Sequence, residues 1–350
     1  MEYVIGIDVH RNFIQVCLLD PQGQELINDR WDLRDPDGIE ALFSSVPPET
    51  EIALEGSFGW MWLTDRLQQM GFSVHLADCK RVRLIAESRL HTDKVDARTL
   101  AQLLRSHFLP EAYLPPRSLQ HKRMLLRHRE GLLKVRTSVK NRVHALLVRY
   151  NLHPAASDIF GRGGMQWLRA LELEAPARAM LDDHLEHLEF LNQQIRRVER
   201  RLDAALGADE RVVWLISLAG VGRLTAYFIL AEIGEIGRFS RPAKLVSYCG
   251  LCPSTHQSAA TVFHGRTAGQ GRRLLKWALV EAAHTAVRRD PYFARVFHRL
   301  AKRKGTAKAY VAVARKMAII IWQMLSEERP YRVRGKQTQV GSAVAMTVRA

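Results

Sequence analysis

Cysteine is scarce, with four residues in a chain of 350. That excludes a disulfide-dense secreted scaffold and leads us to expect a reduced, cytoplasmic setting. No uninterrupted apolar run is long enough to span a bilayer, although 47% of residues are hydrophobic and suffice for ordinary cores. The opening MEYVIGIDVH offers neither a basic leader nor a cleavage site, so no secretory signal is expected there. Acidic residues are missing from long stretches. Residues 121–149 hold nine Lys/Arg and one acid, Glu130, and residues 266–316 hold fourteen Lys/Arg and two acids, Glu281 and Asp290.

The charge that is present is unevenly spread. Residues 1–100 contain 10 Lys/Arg against 17 Asp/Glu, a net of −7, so the other 250 residues carry +23 of the overall +16. Basic stripes of this density suit a polyphosphate partner, with solvated helix faces as the plainer alternative. An acidic first domain beside basic ones suggests that the acids hold metal while the bases hold nucleic acid.

The length fits two or three domains. Residues 3–9, 13–19 and 24–31 read as strands joined by the turn segments HRN and DPQG, an antiparallel meander. A short helix over 38–45, a strand over 51–54, a helix over 60–70 and a strand over 72–76 follow, with helix expected from about residue 80 to 104. Three meander strands, then helix, strand, helix, strand, is the order of a ribonuclease-H-like α/β fold. The proline-rich LPEAYLPPR at 109–117 marks a boundary, and GRGG at 161–164 reads as a flexible stretch. Leu181, Leu188, Ile195 and Leu202 recur every seven residues, with Leu191 and Val198 between them and His184 interrupting. This predicts a coiled-coil seam whose partner helix lies in the same chain or another. The expected division is 1–108 (catalytic, metal-binding), 115–205 (basic helical and coiled-coil), 206–330 (mainly helical) and a polar tail, 331–350.

Four acids stand out. Asp8 lies near the end of the first strand and Glu55 at the end of the fourth, neighbours in a sheet of this order. Asp93 and Asp96 are three apart, so a helix places both on one face. Carboxylates crowded in this way are costly without a cation. Four of them suit one or two Mg²⁺ ions, a hard oxygen-preferring cation, arranged for phosphodiester chemistry. Taken singly, each acid is also an ordinary strand-end, turn or capping residue. A GID-type first strand also opens actin-like sugar kinases, but the second glycine-rich phosphate loop and the adenosine site of that group have no convincing counterpart here.

The segments YVIGIDVHRNFIQVCLLD, ALEGSFGWMWLTDRLQQMGFSVHLAD, HTDKVDARTLAQLL, ISLAGVGRLTAYFILAEIG and KLVSYCGLCPSTHQSAATVFHGRTAGQGRRLLKWALVEAA resemble, over nearly the whole chain, the insertion-sequence transposases with a DEDD acid tetrad. That group is described as bridge-RNA-guided serine recombinases. The resemblance implies a tetrad of Asp8, Glu55, Asp93 and Asp96 in a Holliday-junction-resolvase-like (RuvC-like) first domain. It implies a serine nucleophile at Ser258, in the position following a GLTP-like stretch (here Gly250-Leu251-Cys252-Pro253), with Ser254 as competitor. The chain departs from the family where Ala259-Ala260-Thr261 replaces Gly-Ser-Ser and where Phe263-His264-Gly265-Arg266 stands in the following basic position. A serine attacking a DNA phosphate forms a phosphoserine and conserves the bond energy for rejoining. Element-end and target DNA, a bridge RNA and a homo-oligomer of two or four copies are the implied partners.

Candidate nucleic-acid contacts are Lys122, Arg123, Arg127, Arg129, Lys134, Arg136, Lys140 and Arg142 on the basic helix, then Arg223, Arg266, Arg272, Arg273 and Lys276. Such groups position phosphates and read no bases. Gly220-Val221-Gly222 between two apolar helices reads as a helix–hairpin–helix that holds a phosphate or as a plain interhelical turn. Cys249 and Cys252 lack a second pair for zinc and are expected to be ordinary thiols. A water-using junction-resolving nuclease and a non-catalytic nucleic-acid binder remain the alternative functions.

Overall fold

The computed structural model describes residues 3–56, 59–86, 92–154, 157–258, 261–267 and 271–332, with backbone alone for 255–258 and 261–267. The chain divides into two compact units, Met1–Arg117 and Ser118–Ala350. The expected tail beyond residue 332 lies outside the described residues.

The first unit is a mixed α/β sheet. In chain order it comprises β1 (Val4–Val9), β2 (Phe13–Leu19), β3 (Glu25–Asp32), α1 (Pro36–Ser44), β4 (Glu51–Glu55), α2 (Trp60–Gln69), β5 (Ser73–Ala77), α3 (Cys79–Ile85) and α4 (Asp93–Arg105). The strand order is β3-β2-β1-β4-β5. β1 pairs antiparallel with β2 and parallel with β4, and β4 pairs parallel with β5. The central strand VIGIDV is buried throughout, as its position between two partners requires. The period of two sorts its side chains. Ile5, Ile7 and Val9 join Ile52, Leu54 and the α1–α2 side of the sheet. Val4 joins Ala53 and Ala77 against Ala97, Leu100, Ala101 and Leu104 of α4.

Gly6 lies on that α4 face. A Cβ there would sit 2.5 Å from the Ala101 amide nitrogen and closer still to the Ala97 carbonyl oxygen. The small residues Gly6, Ala97 and Ala101 therefore let α4 lie directly on β1. The helix expected from residue 80 to 104 is instead two helices, because α3 ends at Ala86 and Thr92 caps α4 by accepting from Val95 N. Residues 87–91 between them lie outside the described set.

The second unit is mostly helical: α5 (Arg117–Arg149, whose first residue closes the first unit), α6 (Arg162–Ala170), α7 (Ala175–Leu206), α8 (Glu210–Ile216), α9 (Arg223–Ile233), α10 (Pro242–Tyr248), a hairpin of β6 (Pro253–Ser258) and β7 (Thr261–Thr267), α11 (Arg273–Arg289), α12 (Pro291–Lys304) and α13 (Thr306–Ser326). The seam of α7 is buried within the chain. Leu181, Leu185, Leu188 and Leu191 meet Val139, Val143, Leu146 and Leu147 of α5, while Val198 and Leu202 cluster with Leu126. Early α7 thus meets late α5, an antiparallel pair, and Leu185 rather than His184 fills the seam. The GRGG stretch, expected to be flexible, instead starts α6. Gly161 caps the helix and Gly164 lies against the Ile159 backbone with no room for a Cβ.

α13 is long and apolar enough, by length and composition, to cross a membrane. Here it fills the core of the second unit, burying Val313, Met317, Ile321 and Met324 among the helices around it. The hairpin β6–β7 interrupts a region expected to be mainly helical.

Candidate active site

Parallel pairing of β1 with β4, in the register Ile7 to Leu54, brings the next residues of each strand, Asp8 and Glu55, to the same sheet end. Asp8 shares the α4 face with Gly6, and Glu55 shares it with Ala53. α4 adds Asp93 and Asp96 from its first turn, where acids also complement the helix dipole. That turn is tied to the sheet from several directions. Asn28 donates to the Lys94 carbonyl (3.2 Å) and Lys94 pairs with Asp29 (3.5 Å), while Arg98 pairs with Glu25 (2.5 Å). Asn28 is itself held by Gln15, a buried amide pair (2.9 Å).

All four acids line one cleft of about 600 Å³, together with Val9, His10, Cys79, Val82 and Arg83. Asp8 is 6% exposed. Burial, then hydrogen bonding and repulsion from Glu55, push its pKa up to about 7, partly offset by His10. A carboxyl in that state favours a proton or a cation. His10 Nε2 stands 3.0 Å from Asp8 Oδ2 and 3.3 Å from Asp93 Oδ1. Ligand atoms of Asp8, His10 and Asp93 lie within 4.8 Å of one another, close enough to share one ion. Arg30 pairs with Asp93 (3.0 Å) and lies over the Phe13 ring (3.7 Å), against which His10 also stacks (4.4 Å). Cys79 borders Glu55, and burial and that carboxylate push its thiol up to about 11.

His10 and Arg30 carry no role in the sequence pattern, and Cys79, expected to be an ordinary buried thiol, is a half-buried free thiol at the cleft. His10 offers a signal all the same: it follows Asp8 by two, the spacing that keeps two side chains on one strand face. Arg30 offers none, since only the β2–β3 register opposite Gln15 brings it near α4.

In the second unit, Ser258 ends β6 and Arg266 lies in β7, but the side chains of both are outside the described residues. The hairpin's two ends approach each other, because Arg272 N donates to the Tyr248 carbonyl (3.0 Å) and Gly271 lies against Gly250. The four cysteines are all free thiols, and burial, with Cys252 adding repulsion, pushes Cys249 up to about 12.

The expected nucleic-acid residues differ in their surroundings. Arg127, Lys134, Arg142, Arg223 and Arg273 are exposed. Arg123 is a correction: it is 4% exposed, and its guanidinium donates to Ala231 O (2.7 Å) and Glu232 O (2.9 Å), carbonyls of the last turn of α9. Burial lowers its pKa, and the residue serves as a helix cap, not a phosphate contact. Arg129 donates to Glu199 (2.8 Å) and Arg136 to Asn192 (3.1 Å), bonds that join α5 to α7. Lys140 lies over Phe160 (4.4 Å). Arg272 donates to Tyr248 Oη (3.0 Å). Arg223 bridges Tyr227 Oη (2.6 Å) and Asp203 (3.0 Å). Gly220, at φ +90°, touches the Ala282–Ala286 turn of α11 too closely for a Cβ, so the Gly220-Val221-Gly222 turn serves as a packing contact.

Comparison with known proteins agrees with this layout. The family model described as a transposase of the DEDD, IS110 type matches residues 5–152, and that of the IS116/IS110/IS902 transposases matches residues 214–298. A "Probable family 20 transposase" of Pseudomonas aeruginosa is 25% identical over 94% of this chain and 98% of its own length. The "Transposase for insertion sequence element IS1111A" of Coxiella burnetii is 26% identical over 94% of this chain and 91% of its own. A "Pilin gene-inverting protein" of Moraxella bovis is 26% identical over 44% of this chain and 49% of its own. With matches at both ends and relatives along nearly its full length, the chain belongs to the DEDD transposases of the IS110 type and is a DNA transposase.

Proposed function

We propose that this transposase cuts and rejoins DNA strands of an insertion sequence by serine attack assisted by one or two Mg²⁺ ions, with Asp8, Glu55, Asp93 and Asp96 as the metal ligands. The observation that carries the reading is the convergence of the four acids on one cleft. The strand order β3-β2-β1-β4-β5 supports a ribonuclease-H-like, resolvase-type catalytic domain. A bound divalent cation would supply positive charge beside the phosphate and the oxygen that leaves it. Asp8 is buried and crowded by Glu55, so a cation relieves the repulsion that now holds its proton. His10 bridges Asp8 and Asp93 and orients both carboxylates.

Ser258 is the proposed nucleophile, on its match to the family pattern. Its oxygen forms a bond to phosphorus, a deoxyribose oxygen leaves and takes up a proton, and the phosphoserine keeps the strand for rejoining. A relative named for gene inversion fits chemistry in which strands are rejoined as well as cut. Ser258 lies in the second unit and the acids in the first. The division of labour we read is catalysis in 1–108, nucleic-acid handling by 115–205, and delivery of the serine by 206–330. Element-end and target DNA are the substrates, a bridge RNA chooses the sites, and a homo-oligomer supplies one active site per duplex in a cytoplasmic complex. The α7 seam is filled by α5, so oligomer contacts use other faces.

A second reading has water as the nucleophile. It is favoured by the completeness of the acid cleft within one unit. Ser258→Ala separates the two: the proposal predicts loss of cleavage and of a protein–DNA adduct that survives denaturation. Continued cleavage by that variant, with no adduct in the parent protein, establishes the water reading. Ser254→Ala retains the adduct if Ser258 is the nucleophile. A discrete small RNA that co-purifies with the chain tests the guide, and loss of element mobility in Asp8→Asn tests the metal site.

A further inference from the structure

The second unit contains a concavity of about 960 Å³ that the acid chemistry does not use. It lies where the α11–α12 junction meets α13, Ser217 and the segment Arg329–Arg332. Its charged lining is one-sided. Among the described residues, Arg289, Arg295, Lys316, Arg329 and Arg332 face it, with Asp290 as the one acid. Asp290 is already engaged, accepting from Tyr292 N (2.8 Å) and from Tyr331 Oη (3.4 Å). Arg329 pairs with Glu327 (2.5 Å). Among the described residues, Arg289, Arg295, Lys316 and Arg332 have no ion-pair partner. Four like charges around one hollow repel one another unless an anion enters.

Two rings share the same lining, Tyr292 and Tyr331, each half-buried. They are held in place. Tyr331 N donates to Ser217 Oγ (2.8 Å), and its ring stacks with the fully buried Phe293 at 6.4 Å between centroids and 25° between planes. Tyr292 packs on that same Phe293 at 5.2 Å. Gln323 adds a neutral amide able both to donate and to accept.

Cations alone would suit any phosphate. Cations with fixed flat rings inside a hollow at the upper end of ordinary ligand-pocket volumes suit a phosphate that carries an exposed base. A duplex keeps its bases stacked on one another and offers no free face to a tyrosine. We propose that this pocket takes an unpaired segment of a nucleic-acid strand. Its phosphates lie at Arg289, Arg295, Lys316 and Arg332, and a base stacks on Tyr292 or Tyr331. This binding needs neither metal nor Ser258, so it stands apart from the catalytic reading.

The test measures anisotropy of a fluorescent 12-nucleotide strand, as RNA and as DNA, and of a duplex of equal length. It uses the full chain in EDTA over a salt series. Arg295→Gln with Lys316→Gln changes two exposed side chains. For single strands, each phosphate left without its cation lowers the slope of log K against log salt by about 0.7, so the pair lowers it by about 1.4. Tyr331→Ala weakens single-strand binding about tenfold while Tyr331→Phe, which keeps the ring, binds as the parent. Duplex binding stays within twofold in all of them. Thermal unfolding of each variant separates weakened binding from a damaged fold. If Tyr331→Ala does not fold, Tyr292→Ala carries the ring test. A larger effect on RNA or on DNA names the strand that the pocket serves. Unchanged single-strand binding, or equal weakening on single strand and duplex, overturns the proposal.

Discussion

Replacing Asp8 by Asn tests the electrostatics of the cleft without changing its shape. In the metal-free fold Asp8 titrates at about 7 against an ordinary 3.8, because it is buried and because Glu55 repels its charge. The fold therefore prefers the protonated carboxyl. This preference stabilises fully below the ordinary value of 3.8, and it is lost as pH rises from there through 7. Across that window the shift corresponds to about 4 kcal/mol as an upper bound. At pH 8, metal-free Asp8→Asn should be more stable than the parent by about 2–4 kcal/mol, since an amide carries no charge to bury. At pH 4 the two should coincide. Added Mg²⁺ should restore the parent, by RT ln(1 + [L]/Kd), and leave the variant unmoved. The assay is thermal or denaturant unfolding in EDTA and in Mg²⁺ between pH 4 and 8. A variant no more stable than the parent at pH 8, or a parent whose stability is flat across that range, refutes the account of the acids as a strained cation site.

Three other variants probe the packing and the surface charge. Gly6→Ala forces α4 off β1, so it should cost about 1–3 kcal/mol and abolish strand cleavage even where the fold survives, read by unfolding and by a cleavage assay. Arg123→Met removes two charge-assisted bonds to the end of α9 and should destabilise by about 3 kcal/mol, while leaving the salt slope of DNA binding unchanged. Arg127→Gln with Arg142→Gln, two exposed changes on the same helix, should leave stability within about 0.5 kcal/mol. The pair should lower the duplex salt slope by about 0.9 for each phosphate that the parent arginines neutralise.

The first unit is legible in the sequence because its local signals agree. Turn residues punctuate the meander, and VIGIDV, too apolar to alternate, reads as a buried strand. The i,i+3 spacing of Asp93 and Asp96 needs only a helix to become one face. What places that helix on the sheet, the gap left by Gly6 beneath Ala97 and Ala101, is a matter of shape that no periodicity reports. The break between α3 and α4 is hidden for a related reason. Helix-forming residues run through both, and a Thr92 cap is a single residue against that background. The heptad of α7 marks a buried seam but cannot name its partner, since α5 meets it antiparallel from some 50 residues upstream.

Charge is the least legible property, and Arg123 shows why. Composition treats every arginine of a basic helix alike. The helix is wrapped by others, so its faces differ: Arg127 and Arg142 meet solvent, while Arg123, Arg129 and Arg136 are spent on carbonyls, a carboxylate and an amide of the same unit. A guanidinium already satisfied inside the fold releases no counterion from DNA and so adds nothing to the salt dependence of binding. The +23 of the later chain therefore overstates the charge available to nucleic acid. The surplus that remains is concentrated where cations lack internal partners, and among the described residues the hollow lined by Arg289, Arg295, Lys316 and Arg332 gathers four of them against one engaged acid. Its residues are scattered from 217 to 332, and only the folding of α13 against the α11–α12 junction brings them together.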